Sequence, residues 1–168
     1  MVARAEDILG ARRVVGGRRF DMATIAQARL VTSEEFVTDV LCELALQDKS
    51  TLHLTDTLED KRFAKAFECL KARSHEFGIA LDFSLATNPY HGDSSTLREA
   101  LYSLRERGVV AINNPRFKTV EIKLDHDDAE HFLGRSAVPR SFLHELVLEI
   151  FADGGEGGLG TNGDTRSH

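Results

Sequence analysis

Residues 93–124 read DSSTLREALYSLRERGVVAINNPRFKTVEIKL, and the fold of the chain turns on how this stretch is read. Its first residues, Ser94, Ser95 and Thr96, carry hydroxyls that accept hydrogen bonds from the unpaired amides of a helical first turn. Thr96 and Glu99 have the spacing of a capping box. Leu97, Ala100, Leu101 and Leu104 recur at helical spacing and predict one apolar face, with Arg98, Tyr102, Ser103, Arg105 and Glu106 largely on the other. Gly108 directly after Arg107 predicts a left-handed stop. Beyond it, Val109–Ile112 is a short apolar run, and Asn113-Asn114-Pro115-Arg116 is turn chemistry. In Phe117–Leu124, Val120, Ile122 and Leu124 alternate with Thr119, Glu121 and Lys123, the pattern of a half-buried strand. A helix, a stop and a β-hairpin follow.

LREALYSLRERGVV followed by NNPRFKTVEIKL resembles the third helix and wing of winged helix-turn-helix domains. The resemblance implies an α+β fold: a winged-helix-like helical domain with a small antiparallel sheet and a C-terminal helix. It also implies a non-enzymatic DNA-binding or DNA-associated regulatory protein, in which Ser94, Ser95, Thr96, Arg98, Tyr102 and Arg105 face DNA. Arg116 and Lys118 are then wing residues. One feature departs from that pattern. Ile79, Leu81, Phe83 and Leu85 alternate with Ala80, Asp82 and Ser84, a strand where a tight turn is expected before the third helix. Either this strand joins the hairpin sheet, or the domain is a different α+β fold.

Upstream, Thr32 and Ser33 open a helix with Glu34 and Glu35 in its first turn, where the helix dipole favours acids. Phe36, Val37, Val40, Leu41 and Leu44 are its buried stripe. Leu52 and Leu54 around His53 predict a small edge strand. Thr57 with Asp60 starts a longer helix that carries Phe63, Ala66, Phe67, Leu70 and Phe77 on one side, with Gly78 as its stop. Its basic residues are interspersed with Glu59, Asp60, Glu68 and Glu76, which describes a solvated face. Asn88–Gly92 is a loop in which Tyr90 and His91 are free to stack on, or hydrogen-bond to, a target.

Downstream, Asp125–Gly134 describes a short capped helix. His126 with Glu130, or Asp127 with His131, share a face at metal-compatible spacing, yet no third ligand is implied, so no metal or other cofactor is expected. Pro139 opens a helix to Phe151, whose Phe142, Leu146 and Ile150 either close the core or form a partner-binding stripe for a homodimer or larger complex. An acidic adaptor subunit that assembles such a complex is the alternative to DNA binding.

The chain has 168 residues, of which 42% are hydrophobic and 29% charged, a composition that builds one domain over residues 32–151. Residues 1–31 carry Arg12, Arg13, Arg18 and Arg19 and read as a basic arm or a docked extension, with Ala23–Val31 as a short helix that turns Ile25 and Leu30 inward. Residues 152–168 are glycine-rich and read as a disordered tail. No apolar run spans a bilayer and no secretory leader follows Met1, so a cytoplasmic location without membrane contact is expected. Cys42 and Cys69 lie among apolar helix positions and read as reduced, buried thiols. The net charge of −6 opposes nucleic-acid binding, but residues 96–123 are locally basic, with Arg98, Arg105, Arg107, Arg116, Lys118 and Lys123 against three glutamates. No nucleophile elbow, zinc-protease, Cys-x-x-Cys or dinucleotide motif occurs.

Overall fold

Thr32 sets the first helix. Its hydroxyl accepts from the Glu35 amide (3.2 Å), and the Glu35 carboxylate accepts from the Thr32 amide (2.9 Å), so two otherwise orphaned donors are satisfied reciprocally. The computed structural model describes residues 28–113, 116 and 118–152. In chain order these form β1 (Arg29–Val31), α1 (Ser33–Leu46), β2 (Thr51–His53), α2 (Leu58–Arg73), β3 (Ile79–Leu81), α3 (Ser95–Glu106), β4 (Val110–Ala111), β5 (Thr119–Ile122), α4 (His126–Leu133) and α5 (Arg140–Phe151). The fold is α+β.

Helix α1 is the axis of the core. Phe36, Val37, Val40, Leu41, Cys42 and Leu44 are all buried, because α3, α4 and α5 pack around it. Helix α2 packs on α5 and β2 instead, with Phe63 edge-on to Phe151 at 5.1 Å between ring centres. Cys42 is buried and Cys69 half-buried, both as free thiols. Burial, with Asp39, Glu43 and Asp128 nearby, pushes the Cys42 thiol up to about 12.

Strands β2, β5 and β4 form an antiparallel sheet in that spatial order, with Leu52 opposite Val120 and Val110 opposite Ile122. Val120 and Ile122 point inward as the alternation requires, and β2 is an edge strand. Both hairpin strands are shorter than the apolar runs that announce them.

The Ile79–Leu85 run does not join the hairpin sheet, the first of its two expected outcomes. Only Ile79–Leu81 is a strand, and it pairs in parallel with β1 rather than joining the hairpin sheet. Phe83 and Leu85 leave the ladder but still reach the core: Leu85 is fully buried, and the Phe83 ring packs 5.0 Å from Phe67. The pairing also corrects the expected helix over Ala23–Val31. Arg29–Val31 is extended, and Leu30 is 51% exposed rather than inward. The remainder of that expected arm and the glycine-rich tail from residue 153 onward lie outside the described residues.

Candidate nucleic-acid interface

Helix α3 is amphipathic in the plainest sense. Leu97, Ala100, Leu101 and Leu104 are buried against the body, while Ser95, Glu99, Tyr102, Arg105 and Glu106 are exposed. Its start is capped by Ser94, whose hydroxyl accepts from the Leu97 amide (3.4 Å). The Thr96–Glu99 capping box therefore does not form: Thr96 lies inside the first turn and is half-buried. Its end is a Schellman arrangement. Gly108 takes φ +76°, its amide donates to the Arg105 carbonyl (3.0 Å), and the Val109 amide donates to that of Leu104 (3.0 Å). This turn feeds the chain straight into β4, so the hairpin starts at the C-terminal end of α3.

Among the residues expected to face DNA, Ser94 and Arg98 have other employment. Ser94 is 1% exposed, and its amide donates to Asp60 Oδ1 (2.9 Å). Arg98 donates through Nη2 to the other oxygen, Asp60 Oδ2 (2.9 Å), and the Asp60 side chain is fully buried. The first turn of α2 is thereby clamped to the first turn of α3. A helix-turn-helix corner joins the end of one helix to the start of the next. Here two helix starts meet, and residues 74–94 run between them. Ser94 and Arg98 hold α3 in place, which corrects the expectation that they are free for a ligand.

Asp60 was legible only in part. Its place in the first turn of α2 reads as a solvent-facing acid that meets the helix dipole. Yet Asp60, Phe63, Phe67 and Leu70 share one helical face, and all are buried. An acid in register with an apolar stripe is the available signal of a buried ion pair.

Glu34 is a second carboxylate that sequence reading passed over. It reads as a first-turn acid, and it reaches α3. The Ser103 hydroxyl donates to Glu34 Oε2 (2.6 Å), and Arg107 donates to Oε1. The Ser103 hydrogen bond, aided by Arg107, holds its carboxyl below the ordinary carboxylate value against partial desolvation.

What stays outward is narrower than the sequence promised. Tyr102 is 46% exposed, with the Arg105 guanidinium 5.2 Å from its ring centre. Ser95 is exposed one position after the cap. Arg116 and Lys118 are exposed on the connection between β4 and β5, and the Lys118 carbonyl accepts from the Leu54 amide (2.8 Å), which ties the hairpin base to β2. Lys123 pairs with Glu121 across 2.7 Å of open surface.

The stripe expected to bind a partner is covered by the chain itself. Phe142, Leu146 and Ile150 are 8%, 4% and 7% exposed, because α5 lays this face on α1 and α2. Phe142 sits 5.1 Å from the Phe77 ring, and the Arg73 guanidinium lies over it. Of the two readings of α5, core closure is the one realised.

Away from α3, a cavity of about 260 Å³ opens beside α1, lined by Arg29, Glu35, Asp39, Arg107, Arg135 and Ser136 among others. Asp39 forms its floor at 6% exposure and accepts a hydrogen bond from the Ser136 hydroxyl (2.5 Å). Among the described residues, no group of three or more His, Cys, Asp or Glu side chains is placed to hold a metal ion. Glu130, one of the acids at metal-compatible spacing, is taken by Arg140. No described helix is long and apolar enough to cross a membrane. Compared with models of known families, with curated proteins and with solved structures, the chain matches none.

Proposed function

We propose that this chain is a winged-helix-type, DNA-associated regulatory protein that lays α3 and the β4–β5 hairpin on duplex DNA. The reading carries with it a binding rather than a catalytic role, and a cytoplasmic location. The order α1-β2-α2-β3-α3-β4-β5, with β5 between β2 and β4, supports a kinship with winged-helix domains despite the insertion of β3 between α2 and α3. The observation that carries the reading is the outward side of α3. Ser95, Tyr102 and Arg105 stand open on a helix whose opposite side is buried, with Arg116 and Lys118 on the hairpin that follows. Phosphates are met by cations and hydroxyls, and base edges by side chains projected from a helix.

The cation count bounds the strength of contact. Of the six basic residues in 96–123, Arg98 is held by Asp60, Arg107 by Glu34 and Lys123 by Glu121. The reading places phosphates on three exposed cations, Arg105 of α3, which also bears Glu99 and Glu106, and Arg116 and Lys118 of the hairpin. Three neutralised phosphates correspond to a loss of about 40-fold in affinity between 50 and 200 mM salt. An adaptor that docks through α5 is the weaker reading, since Phe142, Leu146 and Ile150 are covered and Leu148 is the one large apolar side chain of that helix in the open.

The test is a fluorescence-anisotropy titration of a labelled duplex against the full chain over a range of salt. Arg105→Ala and Lys118→Ala are each expected to reduce the slope of log K against log salt by about 1. Arg107→Ala, whose guanidinium serves Glu34, should leave the slope as it is. Equal slopes for all four proteins, or no saturable binding at 50 mM salt, would remove the reading.

A further inference from the structure

We infer that the cavity beside α1 is a binding site for a small organic monocarboxylate, whose anionic group meets the Arg135 guanidinium and the Asp39 carboxyl while its apolar part lies on Val31, Phe132 and Ala137. Such a site is independent of whether α3 binds DNA.

The walls come from β1, α1, the end of α3 and the turn after α4. At about 260 Å³ the cavity holds the equivalent of about nine waters at roughly 30 Å³ each, so it suits a ligand of about that many heavy atoms. Its lining is of two kinds. Val31, Phe132 and Ala137 are apolar, and the remainder is polar or charged. An apolar wall with a few convergent polar groups is the usual form of a small-ligand site.

The charges select a monoanion. Glu34 takes Arg107, and Glu35 lies 4.0 Å from Arg29. Arg135 is exposed at the cavity and has no counter-ion among the described residues. One cation in surplus balances one carboxylate, whereas a dianion would leave a charge uncompensated beside two glutamates.

Asp39 supplies the second contact. Its Oδ2 accepts from the Ser136 hydroxyl (2.5 Å), and among the described residues nothing donates to or accepts from Oδ1. A buried polar atom left without a protein partner at the floor of a cavity is placed to meet a ligand. Burial pushes this carboxyl up to about 7, with Glu35 and Glu43 of α1 adding to the rise and Arg29 of β1 opposing it. Arg107 and Arg135 are the charged groups of the remaining walls. With Ser136 on Oδ2, the proton belongs on Oδ1, where a neutral carboxyl donates to the ligand carboxylate. Once ionised, the same oxygen repels that carboxylate. The protonated form is therefore the binding form, and affinity falls as pH rises.

Benzoate, ionised throughout the pH range used, is the probe, and benzamide is its uncharged isostere. Amide chemical shifts of the labelled full chain are followed during titration with each. Benzoate is expected to give saturable shifts at Asp39, Arg135 and Ser136, with a dissociation constant of about 1 mM or below at pH 6. Its affinity should fall about tenfold between pH 6 and pH 8, in step with the protonated fraction of Asp39. Asp39→Asn, whose amide donates at every pH, should bind at pH 8 as the wild type does at pH 6. Arg135→Ala, at an exposed position, should leave folding intact and weaken benzoate by at least about tenfold. Lys71→Ala, on the surface of α2, should change nothing. Benzamide as tight as benzoate, undiminished affinity in Arg135→Ala, an affinity flat from pH 6 to 8, or shifts that never saturate would each overturn the assignment.

Discussion

Replacing Asp60 with alanine is expected to lower the unfolding free energy by about 3–5 kcal/mol, the cost of breaking a buried ion pair from one side. Both carboxylate oxygens are in use. Oδ1 accepts from the buried Ser94 amide, and Oδ2 accepts from Arg98, whose side chain is only 19% exposed. Alanine removes the acceptor of a buried amide and leaves a guanidinium in a half-dry site without its counter-ion. Arg98→Ala makes the opposite error: it strands a carboxylate whose side chain is 0% exposed, and a loss of similar size is expected. Asp60→Asn keeps an acceptor for Ser94 and should cost less than either.

Because the two residues fail together, the Asp60→Ala/Arg98→Ala double variant should lose less than the sum of the single losses, by about 1–3 kcal/mol. Urea denaturation at neutral pH reads all four proteins. Strict additivity would show that the pair is not coupled. The same series bears on the interface, because the clamp sets where α3 begins. Under the proposed DNA reading both single variants should bind DNA poorly through misplacement, so their affinities are to be compared on folded protein.

Replacing Asp39 with asparagine is expected to stabilise the protein at pH 8 by about 2–4 kcal/mol, with the difference shrinking as pH falls towards 4. Burial pushes the Asp39 carboxyl from an ordinary 3.8 up to about 7, against the Ser136 hydrogen bond that favours the charged form. Glu35 and Glu43 add to the rise, and Arg29 opposes it. The native state therefore holds this proton more tightly than the unfolded chain does. Stability from Asp39 is complete below about pH 4 and is lost progressively as pH rises from there through about 7, above which the native state must hold a buried carboxylate. Asparagine accepts the Ser136 hydroxyl without ever acquiring the charge.

The cavity beside Asp39 is also lined by Arg107 and Arg135, so the total pH profile has several contributors. The difference between variant and wild type isolates the one at issue. Thermal or urea midpoints from pH 4 to 8.5 measure it. A difference that does not change with pH, or an asparagine variant less stable at pH 8, would contradict the assignment.

Periodicity carried much of the fold. Leu97, Ala100, Leu101 and Leu104 repeat at 3.6 residues and Val120 and Ile122 at two, and each set is buried where its period puts it. Gly108 ends α3 because only a residue without a Cβ takes φ +76° without strain. Partnerships between distant segments escaped. β1 and β3 pair across some fifty residues, and a three-residue strand has too little pattern to announce its partner. Ser94, Ser95 and Thr96 offer equivalent caps locally, and Ser94 sits at the cap with its amide bound to Asp60, a contact between residues 34 positions apart. For α5, the apolar stripe of Phe142, Leu146 and Ile150 was plain, but an amphipathic pattern says that a face is covered and not by what. Asp60, Arg98 and Glu34 position α3 through such long-range pairs, whereas the exposure of Tyr102 and Arg105 follows from the helical period alone.

The most direct test maps amide chemical shifts of the labelled full chain during titration with a short duplex. The proposed binding mode requires the shifts to concentrate on residues 88–106 and on the hairpin through Lys123, with α5 and the buried face of α1 unmoved. Shifts gathered on α5 or the β1–β3 pair, with α3 silent, would contradict it.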